Sequence, residues 1–436
     1  MEALAEIDPG ILQRLDHFIG PVLVGIEGQG RRPLARTYVH GLAGPGERKT
    51  AEPISRKARG AASAPAYERR MQAMLSDDDW RHGPVMWGGT HQLIERTQNW
   101  HAYALDDTAI LKQGTHSVGV HNQYAGCAGG LANCQVIVTL SIVQEHVSAP
   151  CAGQLFLPQA WCDDPERRVR CHVPLTVSYQ PKWQMGLDLI QRIEFEGLPR
   201  LPVLGDSLYG DVVEFRSALQ ERGTPYVLGV DMNTTVWPAD LKFVPRRLEG
   251  VLGRPPRSLV PERDGRPMNL TQFAQQLPAT VWQIVCWRDG SRGPQRGRFA
   301  AVRVRPAHGW EVKRGISPDA LQPELWLLIH WPKGESKPTK AWFSTLPAST
   351  PIEVLIHYGR LRWRIERDYR EGKGLLGLDH YEGRSWHGLH HHLALMIVAQ
   401  QFLATERYAA LPEASRPPPP ALCTEETVAA SAAFSP

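Results

Sequence analysis

The segment Arg360–Asp379, near the C-terminal end, combines acids and bases in a pattern that suits phosphate chemistry. In a helix, Glu366 shares one face with cations four residues before it, four after it and seven after it, namely Arg362, Arg370 and Lys373. Such a carboxylate is either the centre of salt bridges with Arg362 or Arg370, or a metal ligand beside phosphates. The pattern alone leaves both interpretations open.

Two other acids end short apolar runs that are typical of strands. Asp107 ends a run that begins at Trp100, and Asp206 ends a run that begins at Leu201. Competing interpretations exist at both places. Asp106 could face the site instead of Asp107, because alternation along a strand lets only one of them do so. Asp206 could simply cap the helix that follows it.

The order of the predicted elements indicates how these acids are positioned. The elements are strands Trp100–Asp107, Ser117–Tyr124 and Cys134–Val143, helix Lys182–Phe195, strand Leu201–Asp206, helix Asp211–Arg222 and strand Tyr226–Val230. A meander followed by helix, strand, helix and strand predicts an α/β fold of the ribonuclease H-like type, a mixed sheet with helices on both faces. Residues 144–173 are predicted as a loop.

The remaining segments complete a five-part division of the chain. We predict a helical N-terminal DNA-binding region (1–98), a first part of the catalytic core (99–230), a β-rich basic insertion (231–349), C-terminal core helices (350–408) and a disordered tail (409–436). One helix is expected from Pro351 to Gly374 and another from His390 to Tyr408.

The predicted insertion carries most of the excess positive charge. From Lys242 to Arg314 there are fifteen Lys or Arg residues and five Asp or Glu residues, although the whole chain has a net charge of only +4. A polyanionic partner fits this distribution, and a solubilising loop is the alternative. Its tryptophans could stack on an unpaired base, but a small core of their own is the favoured interpretation.

Composition excludes several other classes of protein. The chain has 436 residues, 42% hydrophobic and 22% charged, which is typical of a soluble globular protein. No window resembles a membrane span and the N-terminus lacks a signal sequence, so we expect a cytoplasmic, nucleoid-associated location. The seven cysteines form no C-x-x-C pair. The histidines at 387 and 390–392 lack metal-site spacing, so we expect a surface or packing role for them.

Three motifs taken together resemble those of the DDE transposases. They are Asp107-Thr108 after a strand, Leu204-Gly205-Asp206 before Tyr209-Gly210, and Arg362-Trp363-Arg364-Ile365-Glu366 with Lys373. The stretches LDDTAILKQGTHSVGV (105–120) and GLDHY (377–381) are similar to the bacterial insertion-sequence branch, in which the catalytic domain carries a β-rich insertion. The resemblance covers about residues 35–407, and three spaced motifs are more specific than any one of them.

The resemblance implies a metal-dependent enzyme that cleaves and joins DNA strands at transposon ends. Asp107, Asp206 and Glu366 match the three acids, which would hold two Mg²⁺ ions, with Mn²⁺ as a substitute. Arg362 and Lys373 match basic positions of the family signature and would bind DNA phosphate.

Two neighbouring features qualify this assignment. The tyrosine of the family signature is replaced by Gly359, with Tyr358 next to it. Lys112, in a predicted loop after the first acid, is a further candidate phosphate contact, although loop cations are commonly only solvated.

The partners implied are double-stranded DNA, as terminal inverted repeats and as target, and a second copy of the chain on that DNA, with no membrane. Two other functions fit the sequence. One is a domesticated DNA-binding protein without cleavage, because a fold does not guarantee its activity. The other is a nuclease that hydrolyses DNA without joining ends.

Overall fold

The chain folds into two units, and both contain helices and strands. The computed structural model describes residue 8 and residues 10–246, 258–263, 265–290, 293–310 and 315–415. Within this part of the chain, the residues up to Leu201 and those from Trp363 form the first unit, and Pro202–Arg362 forms the second. The predicted domain boundaries stay predictions, and the predicted disordered tail lies outside the described residues beyond Ser415.

Helices occupy the start of the first unit and surround a long buried helix from its end. The early helices are α1 (Ile11–Leu23), α2 (Arg31–Ala43), α3 (Ala51–Arg59), α4 (Ala64–Ser76) and α5 (His82–Arg96). The late helix, which we number α14 (Trp386–Ala409), is buried on nearly every side. At Gly89 in α5, an added Cβ would lie 2.0 Å from Gln401 Oε1 in α14. Glycine at this position therefore lets the two helices approach closely.

The sheet of the first unit is antiparallel. Its strands are β1 (Ala102–Leu111), β2 (His121–Ala125), β3 (Gly130–Val143) and β4 (Ser148–Phe156). β3 pairs with β1 along one edge and with β2 and β4 along the other. The meander of the ribonuclease H-like fold is thus β1, β3 and β4, and β2 is a short addition.

The prediction of a loop at residues 144–173 is wrong. This stretch contains β4 and the short helices α6 (Gln159–Cys162) and α7 (Pro165–Arg170). β4 begins Ser-Ala-Pro-Cys-Ala-Gly, residues with little intrinsic strand preference. Burial overrides this preference, because β4 pairs with β3 and Gly153 leaves room for Leu393 of α14, whose side chain would be 3.2 Å from an added Cβ.

Helices cover both faces of this sheet. Helix α8 (Lys182–Phe195) lies on the face of Leu105, where an added Cβ on Gly186 would be 2.3 Å from the leucine side chain. α14 lies on the opposite face, where it contacts β4. Residues of β1 therefore alternate between an α8 side and an α14 side.

The second unit begins with a parallel strand pair. The pair is β5 (Val203–Gly205) and β6 (Tyr226–Val230), joined through α9 (Ser207–Gly210) and α10 (Val213–Glu221). Strand, helix and strand follow the meander and α8 in the chain, which is the order predicted from the sequence. The fold is accordingly α/β and ribonuclease H-like.

The insertion extends the sheet of the second unit. Its strands and helix are β7 (Thr235–Pro238), β8 (Phe243–Pro245), β9 (Leu259–Pro261), β10 (Met268–Asn269), α11 (Leu270–Gln276), β11 (Trp282–Gly290), β12 (Gly293–Pro306), β13 (Leu325–Trp331) and β14 (Lys340–Ser344). β14 pairs antiparallel with β6, and β13 and β12 follow it. Most of the insertion is therefore continuous with the core strands through backbone hydrogen bonds, whereas β8 and β9 form a separate two-stranded sheet.

The tryptophans of the insertion lie in two settings. Trp237 and Trp310 pack edge to face, with ring centroids 5.2 Å apart, in a small core with Leu241 and Ala307. Arg298, by contrast, lies over Trp282 and Trp331, with its guanidinium carbon 4.6 and 5.2 Å from their ring centroids.

The prediction of a single helix from Pro351 to Gly374 is wrong. The structure has α12 (Ile352–Leu361) and α13 (Arg364–Gly374), interrupted at Arg362 and Trp363. Neither residue is Gly or Pro, so no local signal indicates the interruption. Among the described residues, no helix has the length and apolar character of a membrane span.

We predict that Gly210→Ala destabilises the second unit. An added Cβ would lie 1.8 Å from the backbone oxygen of Gly229 in β6, and backbone cannot move aside as a side chain can. The free energy of unfolding should fall by about 2 kcal/mol or more, measured by denaturant titration. Gly83→Ala in α5 is the matched control, because an added Cβ there meets nothing within 4 Å. Equal stability of the two variants would contradict the close approach.

Candidate active site

Two neighbouring aspartates of β1 face opposite sides of the sheet. Asp107 points to the α8 side, where its Oδ2 accepts a hydrogen bond from the ammonium of Lys182; the two side chains are 25% and 22% exposed. Asp106 is 9% exposed, and its Oδ1 accepts the backbone N–H of Asp107 at 2.9 Å. Asp107 is thus the more accessible of the two, as a ligand that must reach substrate requires.

Helix α13 is held against β1 and β3 at the level of these aspartates. The Lys373 ammonium donates to the backbone oxygen of Ala109 at 2.7 Å. The hydroxyls of Tyr369 and Thr139 are 2.6 Å apart, and Thr139 is the cross-strand partner of Asp106. α13 therefore packs on the face to which Asp106 points, opposite to the face of Asp107, and Lys373 reaches the strand two residues beyond Asp107.

Glu366 is exposed near the start of α13, and its carboxylate has no hydrogen-bond or ion-pair partner in the described part of the chain. The ion pairs on this helix use another acid, since Glu371 binds Arg367 at 2.7 Å and Arg407 at 2.6 Å. The alternative in which Glu366 is the centre of salt bridges is not what the structure shows. The carboxylate is available to bind a ligand.

A buried carboxyl group secures the inner face of α13. Asp368 accepts a hydrogen bond from the Ser148 hydroxyl at 2.9 Å, and its backbone oxygen accepts one from the Gln400 amide at 2.9 Å. Its second carboxylate oxygen has no partner among the described residues. Burial raises the pKa of Asp368 to about 7. The hydrogen bond from Ser148 lowers this pKa, and the nearby charge of Glu371 raises it further.

Asp206 belongs to the second unit, where it is the first residue after β5. Its Oδ1 accepts the backbone N–H of Leu208 at 3.0 Å, so the capping role considered from the sequence is real. The buried guanidinium of Arg216 donates to the backbone oxygen of Gly210 at the end of the same turn. The hydrogen bond from Leu208 restricts the direction of the Asp206 carboxylate, and Arg216 stabilises the turn that follows it.

The other predicted site residues lie in different settings. Arg362 is half-buried at the C-terminal end of α12, in the second unit. Lys112 donates to the backbone oxygen of Tyr381 at 2.7 Å, and burial lowers its pKa. Lys112 thus ties the end of β1 to the segment after α13, a structural bond that engages one of its three ammonium protons.

The glycine in place of the signature tyrosine has a packing explanation. An added Cβ on Gly359 would lie 3.4 Å from Leu328 and from the Trp342 ring, so α12 lies directly against β13 and β14. The adjacent Tyr358 is 1% exposed and belongs to the core of the unit, where burial raises its pKa to about 12. Neither residue offers a tyrosine hydroxyl to DNA.

Lys182 is not among the site residues predicted from the sequence. Only its position could have indicated a role: it lies directly after Pro181 in the first turn of α8, and that turn contains no acid. A cation at the positive end of a helix dipole is unfavourable unless a carboxylate compensates it. Only the tertiary structure shows that this carboxylate belongs to Asp107.

The acids of the site fit a hard divalent cation. Asp107, Asp206 and Glu366 supply oxygen donors only, which is the donor set that Mg²⁺ prefers. The histidines at 390, 391 and 392 are buried, each with its pKa lowered to about 4 by that burial, and they hydrogen-bond to backbone or to Tyr38. Their geometry supports the packing role expected from the sequence.

Comparison with known proteins adds one finding about the family. A protein-family model described as DDE superfamily endonuclease matches residues 21–294. The matched range includes β1, with Asp107, and the turn at Asp206, and it ends before Glu366. A search of curated proteins gave no significant match.

We predict that Asp368 makes folding stability depend on pH. Its pKa is about 3.8 in the unfolded chain and about 7 in the folded one, so only the folded state keeps the proton between these values. The contribution is fully present below about pH 4 and is lost as pH rises to about 7, by roughly 1.4 kcal/mol per pH unit. Denaturant titrations at several pH values measure this dependence. Asp368→Asn should abolish the pH dependence of the free energy of unfolding in this range. The control Asp188→Asn, at an exposed position of α8, should preserve it.

We also predict that restoring the signature tyrosine fails. Gly359→Tyr must place a ring where Leu328 and Trp342 lie, so the free energy of unfolding should fall by about 2 kcal/mol or more. Gly359→Ala adds only the Cβ and should be near neutral, because alanine favours helix. Thermal unfolding of both variants provides the measurement, and a tyrosine variant as stable as wild type would refute this packing argument.

Proposed function

Since the chain belongs to the DDE superfamily of endonucleases, metal-dependent enzymes that act on DNA, we propose that it is a transposase. In this proposal it cleaves DNA at transposon terminal inverted repeats and transfers the ends to target DNA. Two copies would act together on DNA, because two transposon ends must be joined at one target. The proposed reaction centre consists of Asp107, Asp206 and Glu366.

The observation that carries this proposal is the state of Glu366. An exposed carboxylate without a partner among the described residues stands on a helix rich in arginine. Lys373 and Tyr369 hold that helix against β1 and β3, on the face to which Asp106 points. A solvated surface acid would be expected to pair with the neighbouring cations. Its isolation is what a ligand awaiting a metal ion and phosphate requires.

The chain's own residues divide the work of the reaction. Asp107, Asp206 and Glu366 would hold two Mg²⁺ ions, with Mn²⁺ as a substitute. When bound, such ions activate the attacking oxygen and stabilise the leaving oxygen of a phosphodiester.

The cations of the site bind and orient the substrate. Lys373 uses one proton for Ala109 and has two left for phosphate oxygens. Arg362 offers a planar fork that suits two phosphate oxygens at once, and Lys112 adds positive charge after β1. These contacts would align the scissile bond with the attacking group, and such alignment is a large part of catalysis in phosphoryl transfer.

We predict that the purified protein nicks labelled duplex DNA at the end of its terminal inverted repeat in the presence of Mg²⁺ or Mn²⁺. A target plasmid should then receive the cut ends. Asp206→Asn and Glu366→Gln should each lower the cleavage rate by about a hundredfold or more, because each removes a charged metal ligand with little change of shape. Gel analysis of products measures both steps.

Two comparisons make the experiment decisive. Asp107→Asn and Asp106→Asn alter opposite faces of β1. The variant with the larger loss of cleavage rate identifies the first metal ligand. The proposal requires this variant to be Asp107→Asn. Cleavage without joining would indicate a hydrolytic nuclease. DNA binding without cleavage by the wild type would indicate a domesticated DNA-binding protein, and either result would refute the proposed transposase.

A further inference from the structure

We propose that Lys182 is a positioning residue of the site, one that competes with the metal ion for Asp107 until DNA is bound. This inference rests on the proposed function, because it assumes that Asp107 is a metal ligand. It concerns how the Asp107 carboxylate is held before metal binds. It also implies that metal and DNA assist each other's binding through one side chain.

The position of Lys182 shows that its ammonium is held for Asp107. The residue lies in the first turn of α8, whose end carries a partial positive charge and whose first turn contains no acid. The ammonium lies 5.4 Å from the centre of the Phe156 ring and hydrogen-bonds to Asp107 Oδ2. Phe156 and the carboxylate together fix a side chain that would otherwise turn to solvent.

Occupation of Asp107 Oδ2 by an ammonium excludes a tightly bound divalent ion at that oxygen. Mg²⁺ lies about 2.1 Å from a ligand oxygen, so an ammonium hydrogen-bonded to the same oxygen would be within about 5 Å of it. Two cations this close repel each other strongly in a partly buried site. A metal ion that binds Oδ2 must therefore displace Lys182 from that oxygen.

DNA changes this balance because it supplies a new partner for the displaced lysine. The four-carbon stem of Lys182 is flexible, and its three N–H groups can bind phosphate oxygens that approach the same site. Without DNA, metal binding costs the Lys182–Asp107 ion pair. With DNA, the ammonium exchanges a carboxylate for a phosphate, so bound DNA raises metal affinity and bound metal raises DNA affinity by the same factor.

The test is Mn²⁺ binding to the full, metal-free chain, measured by the electron paramagnetic resonance signal of free Mn²⁺, without DNA and with a terminal-repeat duplex. Without DNA, Lys182→Met should bind Mn²⁺ about tenfold more tightly than wild type, and the gain on adding DNA should shrink. Lys182→Arg should stay near wild type. Arg192→Met is the control on the same helix, since it removes an equal charge that pairs with Glu196 instead.

The outcomes separate this inference from the function on which it rests. If Asp107→Asn abolishes Mn²⁺ binding while Lys182→Met binds like Arg192→Met, the role of Lys182 is refuted and the metal site stands. If Asp107→Asn binds Mn²⁺ like wild type, Asp107 is not a ligand and the proposed site is itself wrong. Lys182→Gln repeats the measurement with a polar side chain, and thermal unfolding confirms that each variant is folded.

Discussion

The docking of α13 on the sheet of the first unit is the interaction on which the proposed site depends. Glu366 can serve only if its helix is held at a defined place relative to β1, and α13 is short and mostly polar. Lys373 and Tyr369 supply hydrogen bonds at its edge, and Ile365 and Asp368 are buried beneath it. Polar contacts therefore do much of the positioning that apolar packing does elsewhere.

This solution places charged and polar groups where burial is costly. A carboxyl group as enclosed as Asp368 prefers its neutral form, and its second oxygen lacks a partner among the described residues. In the second unit, burial lowers the pKa of Arg216, whose guanidinium donates a hydrogen bond to the turn after Asp206. Asp368 is two residues after Glu366, and Arg216 donates to the turn that begins at Asp206. Directional hydrogen bonds at these places define geometry better than apolar contacts.

The fold could be read from the sequence where local pattern and burial agree. The bounds of α8 and β6 match the predicted segments, because each has regular apolar spacing between clear turn signals. β4 was missed because its small residues and proline become a strand only beside β3 and under α14. The interruption between α12 and α13 was missed because it coincides with the boundary between the two units. No residue type near Arg362 indicates that boundary.

The sequence by itself determined which chemistry is available: carboxylate oxygens on or directly after two strands, a third acid among cations on a helix, and the element order of a ribonuclease H-like fold. These features depend on residue types and spacing, which local physics fixes. Only the tertiary structure decided which face of β1 each aspartate occupies, that Glu366 has no partner among the described residues, and that Lys182 binds Asp107. Those are contacts between residues far apart in the chain, and they exist only after burial has chosen register and packing.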